Sequence, residues 1–158
     1  MANVKPIPEG YYTITPHITV RDAAKAIEFY RNAFGAQDLG SHKSPDGKIM
    51  HAEIKIGNSI VMLNDEFPEM GGLSPLSVGG TSTSLHIYVE DADAAFERAT
   101  KAGATVVMPL ADMFWGDRYG VITDPFGHRW SLATHKQDLT SEEIEKASAQ
   151  AFSNKSCS

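Results

Sequence analysis

The chain has 158 residues, 42% of them hydrophobic, which suits one ordinary domain with its own core. Charged residues make up 22%, and 14 basic side chains stand against 20 acidic ones for a net −6 at pH 7; this argues against a disordered chain and against nucleic acid or an anionic membrane as partner. Cys157 is the only cysteine, so no internal disulfide or cysteine metal knuckle can form; residues 1–11 lack the apolar core of a secretory signal, no run reaches membrane-spanning length, and a cytoplasmic location is the expectation.

In chain order, residues 13–20 alternate and are rich in β-branched side chains, which predicts a strand. Asp22 is an expected N-cap; Ala23, Ala26, Ile27, Tyr30 and Phe34 then recur at helical spacing until Gly35. A strand is expected over 36–42, a turn at Pro45-Asp46-Gly47, and a hairpin of 48–56 with 59–63 around Gly57-Asn58. Residues 66–80 read as a linker or a lid. Beyond it come a strand at 83–89, a helix at 91–102 stopped by Gly103, a strand at 105–109, and strands at 117–123 and 128–134 joined by Asp124-Pro125-Phe126-Gly127. Thr140 and Glu143 have capping-box spacing, so a short C-terminal helix is expected within 141–158.

The second series repeats the first. The segment 17–28 lies over 86–97 at an offset of 69, with seven of twelve positions identical. The expected fold class is therefore α+β: two pseudo-symmetric βαβββ modules, about 11–65 and 81–136, within one domain over 1–140. Pairing the modules would give a curved eight-stranded sheet, helices outside and a ligand cup inside.

The Val-x-Asp after each leading strand (Val20 to Asp22, Val89 to Asp91), Glu28-Phe29-Tyr30 and Asp124-Pro125-Phe126-Gly127-His128 resemble the vicinal-oxygen-chelate superfamily. This is the group of glyoxalases, dioxygenases and bleomycin-resistance proteins, and the nearest branch is PhnB-like. The resemblance spans about 11–136 and implies the paired βαβββ fold and a homodimer. Metal enzymes of the superfamily hold a divalent ion at four strand positions. Here these fall on Thr15, Met62, Ser84 and Ser131, none of them a good ligand for such an ion. A metal cofactor is therefore not expected at the standard positions.

Strand alternation supplies the candidate lining. Ile14, Ile18 and Val20 share one face and Thr15, His17 and Thr19 the other; Leu85, Ile87 and Val89 oppose Ser84, His86 and Tyr88. Aliphatic faces should meet the helices, which leaves His17 and His86 as symmetry partners in the cup. Alternation alone leaves the His51/Glu53 face open between cup and solvent. Phe114, Trp115, Arg118 and Tyr119 could wall the mouth with aromatics and one cation, or fill core and dimer contacts. Trp130 and the methionines, Met50 and Met70 among them, read as core, and Asp22, Asp91 and Asp124 as caps and a turn.

The expected function is metal-free binding of a small organic molecule by Thr15, His17, His51, Glu53, Met62, Ser84, His86, Trp115, Arg118 and Ser131. Two alternatives stay open. One is a lyase, isomerase or dioxygenase using a divalent ion displaced to His17 and His86; the other is a metal-free enzyme with one of these histidines as general base.

Overall fold

The computed structural model describes residues 4–153, so Cys157 lies outside the described residues. The first module runs β1 (His17–Val20), α1 (Ala23–Phe34), β2 (Gln37–Lys43), β3 (Ile49–Ile56) and β4 (Ser59–Asp65). After a short helix α2 (Pro75–Val78), the second repeats the pattern with β5 (Ser84–Tyr88), α3 (Ala92–Ala102), β6 (Thr105–Asp112), β7 (Asp117–Thr123) and β8 (Arg129–His135), and α4 (Ser141–Ser153) closes the described chain. The α+β class and the eight strands are as expected. The strands divide between two separate four-stranded sheets, ordered β1-β4-β3-β2 and β5-β8-β7-β6, rather than hydrogen-bonding into one. In each, the first strand lies parallel to the last and the other two are antiparallel.

Local chemistry explains the helices. Asp22 Oδ1 accepts from Lys25 N at 3.1 Å and Asp91 Oδ1 from Ala94 N at 2.9 Å, each satisfying a donor that the first helical turn leaves free. Gly35 ends α1 at φ 67°, in the left-handed region where a Cβ would cost energy. Thr140 and Glu143 exchange backbone and side-chain bonds at the start of α4, as their spacing predicts.

The first strand starts four residues later than expected. Pro16 has no N–H for a ladder, although its carbonyl still accepts from Met62 N at 2.9 Å. Thr15 thus precedes the strand, and Ile14 is 86% exposed rather than packed under a helix. Met50 and Met70 are likewise exposed rather than core. The linker is held by Glu66, which accepts from Arg21 Nε at 3.1 Å, Ser74 N at 3.0 Å and Ser77 Oγ at 2.7 Å. Hydrogen bonds from Ser74, then Ser77, pull its pKa down to about 2.

The helices α1 and α3 pack against one another, so the two modules share a core. Phe34 and Tyr30 of α1 meet Trp130 of β8 at ring-centroid distances of 4.8 and 5.3 Å. Asp124, 4% exposed, is the polar hub of this core. Its carboxylate accepts from Tyr30 Oη and Trp130 Nε1, both at 2.7 Å, and from Phe126 N and His128 N, both at 2.9 Å. Burial, reinforced by that carboxylate, raises the Tyr30 phenol well above its ordinary pKa. Two more bonds cross between modules: His128 Nε2 to Thr19 O at 2.9 Å and Arg98 Nε to Ala33 O at 2.8 Å.

Candidate ligand site on the open sheet faces

Because Ala52, Ile54, Ile56 and Leu63 are buried under α1, their alternates point to the open face of the first sheet. That face carries His17, His51, Glu53 and Met62, which places the His51/Glu53 pair beside His17. The register sets His17 opposite Met62 and Met62 opposite Glu53, in one row across three strands. The His17 and His51 rings meet edge-on at 5.8 Å, and His51 Nε2 lies 3.0 Å from Glu53 Oε1. Tyr11 donates to the other Glu53 oxygen. That bond, and then His51, holds the Glu53 carboxyl below its usual range; the same bond raises the Tyr11 phenol.

The second sheet has the equivalent open face, with different chemistry. Trp130, Leu132 and Ile122 are buried beneath the helices, and Arg129, Ser131, Tyr119 and Asp117 alternate with them. His86 sits opposite Ser131, as His17 sits opposite Met62, and its Nδ1 lies 2.9 Å from Ser131 Oγ. The His86 ring contacts Tyr88 at 4.5 Å and stacks on Tyr119 at 5.9 Å with planes 20° apart. Trp115 meets Tyr119 at 5.5 Å and Phe114 at 5.0 Å.

Asp117, 5% exposed, organises this aromatic wall. Its Oδ2 accepts from Trp115 Nε1 at 3.1 Å and Tyr88 Oη at 3.4 Å, and its Oδ1 lies 2.7 Å from His135 Nδ1. The carboxylate fixes the polar edges of Trp115 and Tyr88. Gly116 supports the same bend at φ 99°; a Cβ there would collide with the Gln137 carbonyl oxygen.

The expected lining residues thus separate into groups. His17, His51, Glu53 and Met62 share the first face; Ser84, His86 and Ser131 the second, with Trp115 beside them. Arg118 is not the free cation at the mouth that its neighbours suggested. It alternates to the helix side of β7, where Nε and Nη2 grip Asp93 at 2.6 and 2.7 Å and Nη1 reaches Asp112 at 3.3 Å. Asp117, Tyr11 and His135 were missed. Asp117 had one legible signal, its alternation with Tyr119; Tyr11 and His135 had none, since their partners are remote in sequence or the strand end was unknown.

A cavity of about 730 Å³ lies between the modules, bounded by Tyr11, Thr15, Phe34, Ile60, Ile87 and Arg98. It takes in Thr15 and His86 but none of the other expected lining residues. The four strand positions that hold the ion in metal enzymes of the resembled superfamily carry Thr15, Met62, Ser84 and Ser131 here, His17 and His86 lie on different sheets, and among the described residues no three His, Cys, Asp or Glu side chains are grouped as metal ligands.

Two fused strand–helix–three-strand modules, each with one open face, define the paired βαβββ class of protein. The chain belongs to the Glyoxalase/Bleomycin resistance protein/Dioxygenase superfamily, whose model matches residues 12–132. An uncharacterized protein of Mycobacterium tuberculosis (strain H37Rv) is 50% identical over 137 residues, 85% of this chain and 81% of that protein. TioX of Micromonospora sp. ML1 is 30% identical, with a TM-score of 0.63 over 79% of this chain and 99% of its own. The PhnB protein of Bacillus cereus shares the fold at 18% identity, with a TM-score of 0.59 over 78% of this chain and 99% of its own. No helix among the described residues is long and apolar enough to cross a membrane.

Proposed function

We propose that this protein binds a small, partly planar organic molecule against the aromatic wall of the second sheet, without a metal ion. The observation that carries the reading is the buried Asp117, which holds Trp115 and Tyr88 by their polar edges while His86 and Tyr119 stack beside them. A wall of this kind favours a flat apolar ligand through burial and ring stacking. The first sheet's face, with His51, Glu53 and Tyr11, supplies polar groups that would orient such a molecule when a second copy of the chain brings it opposite. Both faces are open in one chain: His17, Ser84 and His86 are exposed, and so is every residue of β2. A homodimer that closes one chain's aromatic wall with the other's polar face accounts for these surfaces.

The test is titration with quinoline as a flat probe, followed by quenching of tryptophan fluorescence in the parent and by isothermal titration in the variants, together with light scattering to measure mass. Saturable quenching in a dimer, with binding heat abolished by Trp115→Ala and retained by Trp115→Phe, is the expected result. A strict monomer of 17.2 kDa, or binding heat unchanged in Trp115→Ala, contradicts it. Metal analysis after dialysis examines the enzymatic alternative: a stoichiometric ion lost in His17→Ala/His86→Ala would replace this reading with a metal-dependent one.

A further inference from the structure

We infer that the cavity between the two modules is a second binding site, one that takes an apolar molecule ending in a carboxylate. Its lining runs from the helix side of the sheets to His86 and Tyr88 at the edge of the open face, and does not include Trp115 or Asp117. Phe34 of α1, Ile60 and Val61 of β4, and Leu85 and Ile87 of β5 line it. At about 730 Å³ it is within the range that small-ligand pockets occupy, roughly 300–1,000 Å³.

Its walls are apolar apart from a few hydroxyls, the Asn58 amide and the His86 imidazole, and among the described residues Arg98 is the only side chain of permanent charge that lines it. No acidic residue among those lining the cavity balances that charge, and no carboxylate among the described residues pairs with Arg98, whereas Arg21 and Arg118 both have carboxylate partners. Arg98 is held in place all the same. Its Nε donates to Ala33 O at 2.8 Å, immediately before Phe34. That bond holds the guanidinium at the solvent-exposed edge of the cavity, and both Nη groups lack a protein acceptor among the described residues. A planar fork whose two Nη groups are unengaged is matched by a carboxylate, which accepts two parallel bonds. The hydroxyl of Tyr12, which also lines the cavity, could donate to the same anion or to an oxygen along the chain.

The test uses octanoate and its neutral counterpart octan-1-ol, measured by isothermal titration on the full chain. A flexible alkyl chain has no ring to stack, so Trp115→Ala should leave its binding unchanged. Failure of this site is thereby kept separate from failure of the aromatic wall. The expected result is octanoate bound about threefold to fivefold more tightly than octan-1-ol, as ion pairing to a partly solvated guanidinium provides. Arg98→Gln should bring octanoate down to the affinity of the alcohol and leave the alcohol unaffected; Arg98→Lys, which keeps charge but not the fork, should fall between. Thermal melts of both variants establish that they are folded, and Ile87→Trp, which fills the cavity, should weaken both probes. Equal affinity for acid and alcohol, an acid preference that survives Arg98→Gln, or no heat from octanoate at about 1 mM would each overturn the inference.

Discussion

Asp124→Asn tests the account of how the modules are joined. The carboxylate offers two acceptor oxygens: Oδ2 takes Tyr30 Oη and Trp130 Nε1, and Oδ1 takes Phe126 N and His128 N. Asparagine keeps one oxygen and replaces the other with an amide that itself donates, so two of the four donors lose their acceptor whichever way it turns. Each orphaned buried donor costs about 1–3 kcal/mol, for a total of about 2–6 kcal/mol. For a chain of this size a loss of 1 kcal/mol lowers Tm by about 2–4 °C, so the variant should melt at least about 4 °C below the parent. Urea unfolding followed by the fluorescence of Trp130, 1% exposed in this core, measures the difference directly. Tyr30→Phe removes one donor and leaves the other three paired, so it should cost less, about 1–2 kcal/mol. An Asp124→Asn variant within about 0.5 kcal/mol of the parent would refute the hub.

Other expectations follow from the same contacts. The folded-state pKa of Glu66 is depressed to about 2, so the stability it contributes is present above its ordinary pKa of 4.5 and is lost as pH falls towards 2. The stability difference between parent and Glu66→Gln should therefore shrink across that window; a difference constant from pH 6 to pH 2 counts against it. His135 is raised by hydrogen bonds to Asp138 and then Asp117, so its contribution is complete below its ordinary pKa of 6.5 and disappears as pH rises through the higher folded value. An NMR titration should place its midpoint above 6.5, and Asp138→Asn should lower it; an unshifted parent midpoint removes the effect. Gly116→Ala should destabilise the bend before β7 and weaken quinoline binding, because the new Cβ meets the Gln137 carbonyl at a φ of 99°. Equal melting and equal quenching in that variant would show that the bend does not hold Trp115.

What could be read from the chain was the information carried by neighbours. The caps Asp22 and Asp91, the stops Gly35 and Gly103, and the buried stripe of α1 all depend on residues within one or two turns. The module plan came from the repeat. What escaped depends on distant partners. Asp124 reads as a turn residue because two of its bonds are local; its bond to Tyr30 spans 94 positions. Arg118 sat among aromatics in the sequence, yet one step of alternation put it on the helix side with Asp93, 25 positions away. The division into two sheets was equally hidden, since alternation specifies faces and does not say which edges meet.

The repeat also shows where the modules have been free to diverge. Val20 and Val89, Ala23 and Ala92, and Ala26 and Ala95 are matched pairs that face the helix–sheet core or cap it. Close packing there restricts volume to a methylene or so, which explains why small residues recur in both halves. The open faces carry no such restriction. His17 and His86 are themselves a matched pair, but one meets His51 beside a carboxylate and the other meets Tyr88 and Tyr119 beside a serine. One duplicated frame thus presents two chemistries, hydrogen-bonding on one sheet and ring-stacking on the other. A ligand held between such faces needs both a flat apolar part and a polar edge, and a probe that lacks either should bind more weakly than one that has both.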